Sequence, residues 1–434
     1  MVVSIKRAAR AAALGVSASA LSMGLCSGAL GADNEVIRIG VVTFLSGPAA
    51  GTFGVPVRDA AKAVLEEINA GSVPAPYGTA GFGGTPIEFT FVDEAGGTTK
   101  QVTEFRNLVN QKGVDAVIGY VSSGDCLSIA PVAEEMQKLT VMFDCGSPQV
   151  FEENSYKYVF RTGATGTMDS VAAAMYLNRR GIEISGYTGI NQNYAWGHDS
   201  WNDFKASMDQ LYPDAKMVTP QFPKFLAPQM GSEISAVMSS KTEVVHSANW
   251  GGDTDTLILQ GVPRGLFNKK QVVLTVGEPN LAKLGKQIPD GTIIGARGTF
   301  GYFAPDTELS RWFQQAYSSR YDLQPTYPSY KLTNAVLGLK AAYEKAQEAN
   351  GGDKPSQDQI IAAFENLEFE GTGGAVRMAL GKGHQAMYDT AYGTIQHADD
   401  GRVEMVDVEH FAAEDVTPPE GRKSQEWIES GFKD

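Results

Sequence analysis

Residues 36–44 read VIRIGVVTF, an almost continuous apolar run rich in β-branched side chains. Such a run predicts a strand that is buried on both faces of a sheet. Ser46-Gly47-Pro48 ends the strand, and Val57–Asn69 then places its apolar residues on one helical face, with Gly71 as a stop signal. A strand, a loop and a helix in this order predict one half of a parallel βαβ unit.

The same unit recurs along the chain. Further strands are predicted at Ile87–Asp93, Asp115–Tyr120, Thr140–Phe143, Ser185–Ile190, Lys216–Thr219, Glu243–Ser247, Gln271–Val276 and Thr292–Gly295. Helices are predicted at Thr98–Gln111, Leu127–Lys138, Asp169–Arg179, Asp199–Leu211, Glu233–Ser239, Thr254–Gly261, Glu308–Tyr321, Ser329–Glu348 and Gln357–Leu367. The tail has the pattern of antiparallel strands, around Ala375–Met378, Asp389–Ile395 and Val403–Val408. This alternation predicts an α/β fold with doubly wound parallel sheets.

Length and charge limit the classes of protein that fit. The chain has 434 residues and a formal net charge of −14, with 43% hydrophobic residues. The length suggests at least two domains, and the apolar content is enough for a substantial core. An acidic chain lacks the basic face that a phosphate-tracking nucleic-acid binder needs, so no nucleic-acid partner is expected.

The N-terminus has the three regions of a secretory signal. Lys6, Arg7 and Arg10 form a basic start, Ala11–Leu25 carries no charge, and Ala29-Leu30-Gly31-Ala32 offers small residues for cleavage. The apolar run is short for a membrane anchor, which is the alternative. We therefore predict that residues 1–32 are a signal peptide and that the mature protein is soluble and exported.

The cysteines are interpreted with export in mind. Cys26 follows the bulky Leu25, which makes it a poor lipidation site. Cys126 and Cys145 each come just after a predicted strand. They either form a disulfide or remain two free, buried thiols, and an oxidising compartment favours the bridge.

Candidate ligand-binding loops follow the strands, because open parallel sheets bind ligands beyond the carboxyl ends of their strands. Ser122-Ser123-Gly124 opens a helix, and Gly146-Ser147 repeats the arrangement after the next strand. Small residues there let backbone N–H groups and hydroxyls face an anion. Ordinary helix capping is the alternative explanation.

Two further features point to a cleft. Glu278 follows an apolar strand and offers a carboxylate to an ammonium group, although a solvated acid or a helix cap also fits it. Aromatic residues lie in the same loops, several beside glycine, which favours a cleft wall over a core. They are Phe53, Tyr120, Tyr194, Trp196 and Trp250.

Catalytic and metal-binding motifs are absent from the sequence. There is no P-loop, no G-x-S-x-G and no H-E-x-x-H, and the histidines have no metal-ligand spacing. The G-x-G-x-x-A match at Gly381–Ala386 lies in the hairpin region and is interpreted as a turn. A spatial Ser123–His246 pair would suit a secreted hydrolase and stays as an alternative. We expect no enzyme activity, no cofactor and no metal.

Several stretches together resemble a known family. They are Ile37–Pro48, Ala60–Gly71, Val92–Glu94, Val117–Gly124, Tyr158–Gly163, Tyr194–Gly197 and Gly277-Glu278. The chain resembles the extracytoplasmic substrate-binding proteins of ABC importers, in the branched-chain amino acid (Leu/Ile/Val) binding group with the type I periplasmic-binding-protein fold. The resemblance implies two lobes joined by three hinge crossings. Lobe one would comprise residues 33–160 plus 299–389, and lobe two residues 161–298 plus 390–434.

The resemblance also implies roles for the loops. An amino acid carboxylate would lie on Ser123, Gly124, Gly146 and Ser147, its ammonium on Glu278, and Phe53, Trp196 and Trp250 would surround the ligand. Lobe closure would deliver the ligand to a membrane permease. The family pattern commonly has tyrosine where Phe53 and Trp250 stand, which leaves room for an amide, urea or aromatic carboxylate. A sensing partner of a membrane receptor is a further alternative.

Overall fold

The computed structural model of the chain describes residues 35–433, and the predicted signal segment, residues 1–32, lies outside the described residues. The described strands, in chain order, are β1 Ile37–Thr43, β2 Ile87–Asp93, β3 Ala116–Gly119, β4 Thr140–Met142, β5 Val159–Arg161, β6 Gly186–Gly189, β7 Lys216–Met217, β8 Val244–Ser247, β9 Gln271–Leu274, β10 Ile293–Gly295, β11 Glu368–Gly371, β12 Gly374–Leu380, β13 Gln385–Met387, β14 Thr390–His397 and β15 Val403–Phe411.

The described helices are α1 Val55–Ala70, α2 Thr98–Asn110, α3 Ser123–Glu135, α4 Gln149–Glu152, α5 Gly166–Arg179, α6 Ala195–Leu211, α7 Gly231–Met238, α8 Gly252–Gly261, α9 Leu266–Lys269, α10 Glu278–Leu284, α11 Glu308–Tyr321, α12 Tyr327–Ala349, α13 Gln357–Phe364, α14 Ala413–Val416 and α15 Ser424–Glu429. Among residues 35–433, no helix is both long and apolar enough to cross a membrane.

The strands form two sheets, one in each lobe. The first has eight strands in the order β11-β12-β13-β5-β4-β3-β1-β2, and the second has seven in the order β15-β14-β10-β9-β8-β6-β7. Each sheet is parallel except at the edge where its last strands join in antiparallel fashion. The predicted α/β class, with two doubly wound lobes, is confirmed.

Strand β1 shows why the opening sequence is apolar on both faces. Ile39 and Val41 pack into the core that includes helices α1 and α12. Val42 points the other way, into a core shared with Phe105 and Leu108 of α2. Helices therefore cover both faces of the sheet, and a strand between them can expose neither side to water.

The chain crosses between the lobes three times: after β5, between β10 and β11, and between β13 and β14. Tyr388, in the third crossing, holds all three together. Its hydroxyl accepts a hydrogen bond from the backbone N–H of Ala164 at 2.9 Å and donates one to the backbone oxygen of Arg297 at 3.3 Å. The hinge is thus one hydrogen-bonded unit.

Candidate functional site

The loops after the parallel strands of the two lobes face each other across a small cavity. Its walls come from both lobes and include five of the eight residues that the sequence predicted as ligand contacts: Phe53, Ser123, Gly146, Trp196 and Trp250. The remaining lining residues are Val121, Asp144, Tyr194, Val276, Arg297 and Tyr327. The cavity has a volume of about 10 Å³, so the lobes lie against each other around it.

Five of the eleven residues that line the cavity are aromatic. The Phe53 ring packs edge-on against Trp250 of the other lobe, with ring centroids 5.1 Å apart, and against Tyr327 at 5.7 Å. Trp250 donates from Nε1 to the Tyr194 hydroxyl at 2.7 Å, and Trp196 donates to the Ala248 oxygen at 2.7 Å. Because each indole N–H already has a partner, both rings are held in fixed orientations toward the cavity.

Ser123 ties the two predicted binding loops of the first lobe together. Its Oγ accepts hydrogen bonds from the backbone N–H groups of Gly146 and Ser147, both at 3.2 Å. The Ser147 hydroxyl itself donates across the cleft to Asp199 at 2.5 Å. Gly124 lies in the first turn of α3 beside Ser123 and does not line the cavity.

A disulfide joins the same two loops. Cys126, in the first turn of α3, is bonded to Cys145, directly before Gly146. The predicted bridge is confirmed. By fixing two loops that are 19 residues apart in sequence, it limits how far Ser123 and Gly146 can separate.

A buried acidic pair lies beneath the Ser122–Ser123 loop. Glu94 is fully buried and accepts hydrogen bonds from the backbone N–H groups of Val121 and Ser122, the closest at 2.8 Å. Burial and the neighbouring Asp125 carboxylate raise the pKa of Glu94 well above its ordinary value. Burial also raises the pKa of Asp125 to about 6. This pair fixes the backbone of the loop from below.

At one end of the cavity lies a buried charge cluster that the sequence did not predict. Arg297 contacts Asp144 at 2.7 Å and Asp169 at 2.9 Å, and Lys331 contacts Asp144 at 3.1 Å. The Arg297 guanidinium also lies over the Trp196 ring, 4.6 Å from its centroid. Burial alone would lower the pKa of Arg297, but the two carboxylates raise it above its ordinary value. The cluster is therefore charged and internally neutral.

Two acceptors of this cluster, one on Asp169 and one on Asp144, are unused within the described residues, and only Asp144 lines the cavity. Oδ2 of Asp144 is buried and has no hydrogen-bond partner, and Asp144 lines the cavity. Buried carboxylate oxygens ordinarily have a partner, because an unsatisfied one is costly. In the sequence, Asp144 lies two residues before Gly146, the first residue of a predicted binding loop. Arg297 gave no local signal, since its partners lie 128 and 153 residues away.

Glu278 lies outside the cavity. Its Oε2 accepts a hydrogen bond from the backbone N–H of Tyr327 at 2.9 Å, and the side chain is buried. It borders a separate cavity with Tyr302 and Tyr330, and a Cβ on Gly301 would come within 1.8 Å of its Oε1. Burial raises the pKa of Glu278 to about 7. The carboxylate thus holds the first turn of α12, which carries Tyr327.

The alternative Ser123–His246 pair is not formed. His246 stacks on Phe204 with centroids 4.2 Å apart, and its Nε2 is hydrogen-bonded to the Thr275 hydroxyl at 3.1 Å. Burial lowers the pKa of His246 to about 3. Nor does any group of three or more His, Cys, Asp or Glu residues within 35–433 have the arrangement of a metal site.

Comparison with known proteins agrees with this architecture. A model of the family described as periplasmic binding protein matches residues 36–402. The Leu/Ile/Val-binding protein homolog 4 of Brucella melitensis is 24% identical over 367 residues, which are 82% of each chain.

Two solved structures illustrate the likeness in fold. A solute-binding protein of an ABC transporter from R. palustris, in complex with benzoate, has a TM-score of 0.74 at 18% identity and covers 90% of this chain and 100% of its own. The closed leucine-, isoleucine-, valine-, threonine- and alanine-binding protein of Brucella ovis has a TM-score of 0.72 at 20% identity and covers 89% and 97%. With two lobes, a three-crossing hinge and a cleft between them, this chain belongs to the periplasmic binding protein family, a family of extracytoplasmic binding proteins and not of enzymes.

Proposed function

We propose that this protein is a periplasmic receptor for an amino acid or a related small molecule, which it delivers to the membrane permease of an ABC importer by lobe closure. The observation that carries the proposal is the shared cavity, whose walls come from the strand-end loops of both lobes. A ligand that contacts both lobes stabilises the arrangement in which they are together. Binding can shift that equilibrium only by its differential affinity for the two arrangements.

The lining residues suggest the chemistry of the ligand. Phe53, Trp196, Trp250 and Tyr327 offer ring faces and edges to an apolar body. Ser123 with Gly146 suits a carboxylate, and the unused Oδ2 of Asp144 suits an N–H donor such as an ammonium or an amide. We propose Asp144 as the acceptor for that donor. Glu278 then positions Tyr327 and does not touch the ligand.

The similar proteins bind molecules of this kind. The Brucella relatives are described as Leu/Ile/Val-binding, and the R. palustris proteins were solved with benzoate and 4-hydroxybenzoate. Each of these ligands combines a carboxylate with an apolar or aromatic body. For this chain we propose the same class of ligand. An aromatic carboxylate or an amide is the alternative to a branched-chain amino acid, because five of the eleven lining residues are aromatic.

We propose lobe boundaries at residues 33–160 plus 299–389 for lobe one and 161–298 plus 390–434 for lobe two. The membership of the strands in the two sheets supports this division, and only Arg161, the last residue of β5, falls on the other side of it. Hydrogen bonds across the cleft, such as Ser147 to Asp199 and Tyr327 to Glu278, would then form when the ligand binds and the lobes close, and break when the lobes open. Export would follow cleavage of residues 1–32.

A thermal-shift screen of amino acids, aromatic carboxylates and small amides, with mass spectrometry of co-purified ligand, tests the proposal. We expect at least one compound of these classes to raise the melting temperature, and Trp250→Leu to abolish most of that shift. Trp312→Leu is the matched control, since Trp312 lies on α11 and does not line the cavity. Stabilisation by sugars or metal ions, and by none of these compounds, would refute the ligand class. A permease and an ATPase encoded beside the gene would favour transport over sensing.

A further inference from the structure

A second cavity lies between the two lobes, on the far side of the loop that carries Ser147. Its volume is about 230 Å³. Its lining includes Phe151, Glu152 and Lys382 of lobe one, Thr165 and residues 418–423 of lobe two, and Arg161 at the boundary between the lobes. The proposed ligand site uses none of these residues.

Arg161 is the most unusual group in this cavity. It is fully buried, and its hydrogen bonds go to neutral acceptors: the backbone oxygens of Cys145 at 3.2 Å and Ser147 at 2.7 Å, and Oε1 of Gln385. Its Nη2 has no partner, and no carboxylate of residues 35–433 forms an ion pair with the guanidinium. Burial and the charge of Arg297 lower the pKa of Arg161 to about 9, so it is still cationic at neutral pH.

Glu152 and Asp199 are near enough to favour the charged form of Arg161, but neither forms an ion pair with it. A buried cation without a carboxylate in direct contact is costly, and buried charges in proteins are ordinarily paired. The guanidinium presents a planar fork that matches the two oxygens of a carboxylate or a phosphate. Nη2 is the guanidinium nitrogen of Arg161 that donates no hydrogen bond to a protein group. The missing partner therefore has the chemistry of an oxyanion.

Other groups in the cavity agree with this interpretation. Thr165 is buried and precedes α5, but its hydroxyl neither caps the helix nor finds another partner. Lys382, Arg422 and Lys423 add positive charge at the rim.

The two acids that line the cavity are already engaged. Glu152 accepts hydrogen bonds from Ser424, and Glu420 accepts one from the backbone N–H of Lys382 at 2.8 Å. Each carboxylate is thereby directed at a neighbour on the wall.

We propose that this cavity is a second binding site, for a small oxyanion such as a carboxylate or inorganic phosphate, held by the Arg161 guanidinium and the Thr165 hydroxyl. At about 230 Å³ the cavity has room for an ion of this size. The ion would contact both lobes and would neutralise the residue that holds the carbonyls of Cys145 and Ser147. It would therefore stabilise the closed lobes and the ligand loop from behind.

The test is a titration of the full-length mature protein with inorganic phosphate and, separately, with acetate, at constant ionic strength set with chloride. Thermal shift and calorimetry are the readouts. We expect phosphate, acetate or both to stabilise the protein. The titration with the larger response identifies the preferred oxyanion. Thr165→Val and the rim variant Arg422→Glu should each weaken this binding at least about tenfold, while the distant, exposed Lys216→Glu should not change it.

The variants Arg161→Met and Trp250→Leu locate the site. Arg161→Met should abolish the response, and because this buried residue could be needed for folding, the Thr165 and Arg422 variants carry the same test independently. Trp250→Leu, which alters the central cleft, should leave the oxyanion response intact even if the proposed ligand class is wrong. The inference fails if neither oxyanion binds, if binding is unchanged in the Thr165 and Arg422 variants, or if Trp250→Leu removes it.

Discussion

Two buried arginines lie between the lobes, and their surroundings differ sharply. Arg297, at the central cleft, contacts the carboxylates of Asp144 and Asp169 within 2.9 Å. Arg161, at the second cavity, contacts only carbonyl and amide oxygens and keeps one nitrogen without a partner. The central cavity measures about 10 Å³ and the second about 230 Å³.

The difference separates a structural cation from a binding cation. Arg297 completes its own charge balance, so its role is to hold the hinge and the cleft wall in place. Arg161 lacks that balance within the described residues, and the space beside it is large enough for an ion. Two arginines of similar burial thus have different roles, and only their hydrogen-bond and ion-pair partners distinguish these roles.

Replacing each arginine should have the largest effect on stability. The two losses in the free energy of unfolding should differ if Arg297 and Arg161 have the different roles described here. Arg297→Met leaves buried Asp169 without a cation and Asp144 with Lys331 alone, and should lower the free energy of unfolding by about 3–5 kcal/mol. Arg161→Met leaves only neutral oxygens without a donor and removes an unpaired charge, so its cost should be smaller. Urea unfolding at pH 7, in oxyanion-free buffer, measures both. Equal losses would show that Arg161 is as well compensated as Arg297.

The buried carboxyl of Glu278 extends the comparison to pH. Its raised pKa, about 7, means that the folded protein holds a proton which the unfolded chain releases above about pH 4.5. Stability should therefore fall as pH rises from about 5 to 7, with about 3 kcal/mol due to this group. Glu278→Gln should remove that share of the fall in urea unfolding curves.

The control for this prediction is Glu88→Gln, a change at an exposed acid of β2. It should leave the pH profile unchanged. Because Asp125 and Asp203, with pKa values raised to about 6 and about 7, contribute in the same direction, the difference between variants is the meaningful quantity. A Glu278→Gln profile parallel to that of the unmodified protein would contradict the assignment.

Substitutions of two glycines in the binding loops should have a smaller effect on stability, and they test how tightly the cleft is packed. A Cβ on Gly146 would come within 2.3 Å of Trp196 and 2.5 Å of Arg297, whereas a Cβ on Gly124 would meet nothing closer than 3.7 Å. Gly146→Ala should therefore cost about 1–3 kcal/mol through overpacking and weaken ligand binding. Gly124→Ala should change neither by more than about 0.5 kcal/mol. Melting curves and ligand titrations of the two variants provide the check.

The fold could be predicted because its signals are local. The run at 36–44 is continuously apolar, and the helices that follow it have clear periodicity. The Asp399-Asp400-Gly401 segment, rich in turn-forming residues, joins β14 to β15. Strands β5, β11 and β13 were not predicted. They have only three or four residues each, too few to show a period.

The site was predictable only where loop chemistry is local. Ser123, Gly146 and the three aromatic residues follow strands directly, so the rule for parallel sheets located them. Arg297, Lys331 and Tyr327 join the site through contacts with Asp144 and Phe53, which are distant in the sequence, so no local pattern indicates them. Glu278 satisfies the same rule as Ser123 but points away from the cavity, because α10 begins at that residue and directs its carboxylate to Tyr327.

The central claim is that a small carboxylate-bearing solute binds in the cleft between the lobes. Calorimetric titration of the mature protein with leucine, valine, benzoate and 4-hydroxybenzoate, alongside Trp250→Leu and Asp144→Asn, tests it most directly. The account predicts saturable one-to-one binding of at least one compound with a Kd of about micromolar or tighter. Both substitutions should weaken that binding at least about tenfold. Binding that is unchanged in both variants, or no binding by any of the four together with tight binding of a sugar or a metal ion, would contradict it.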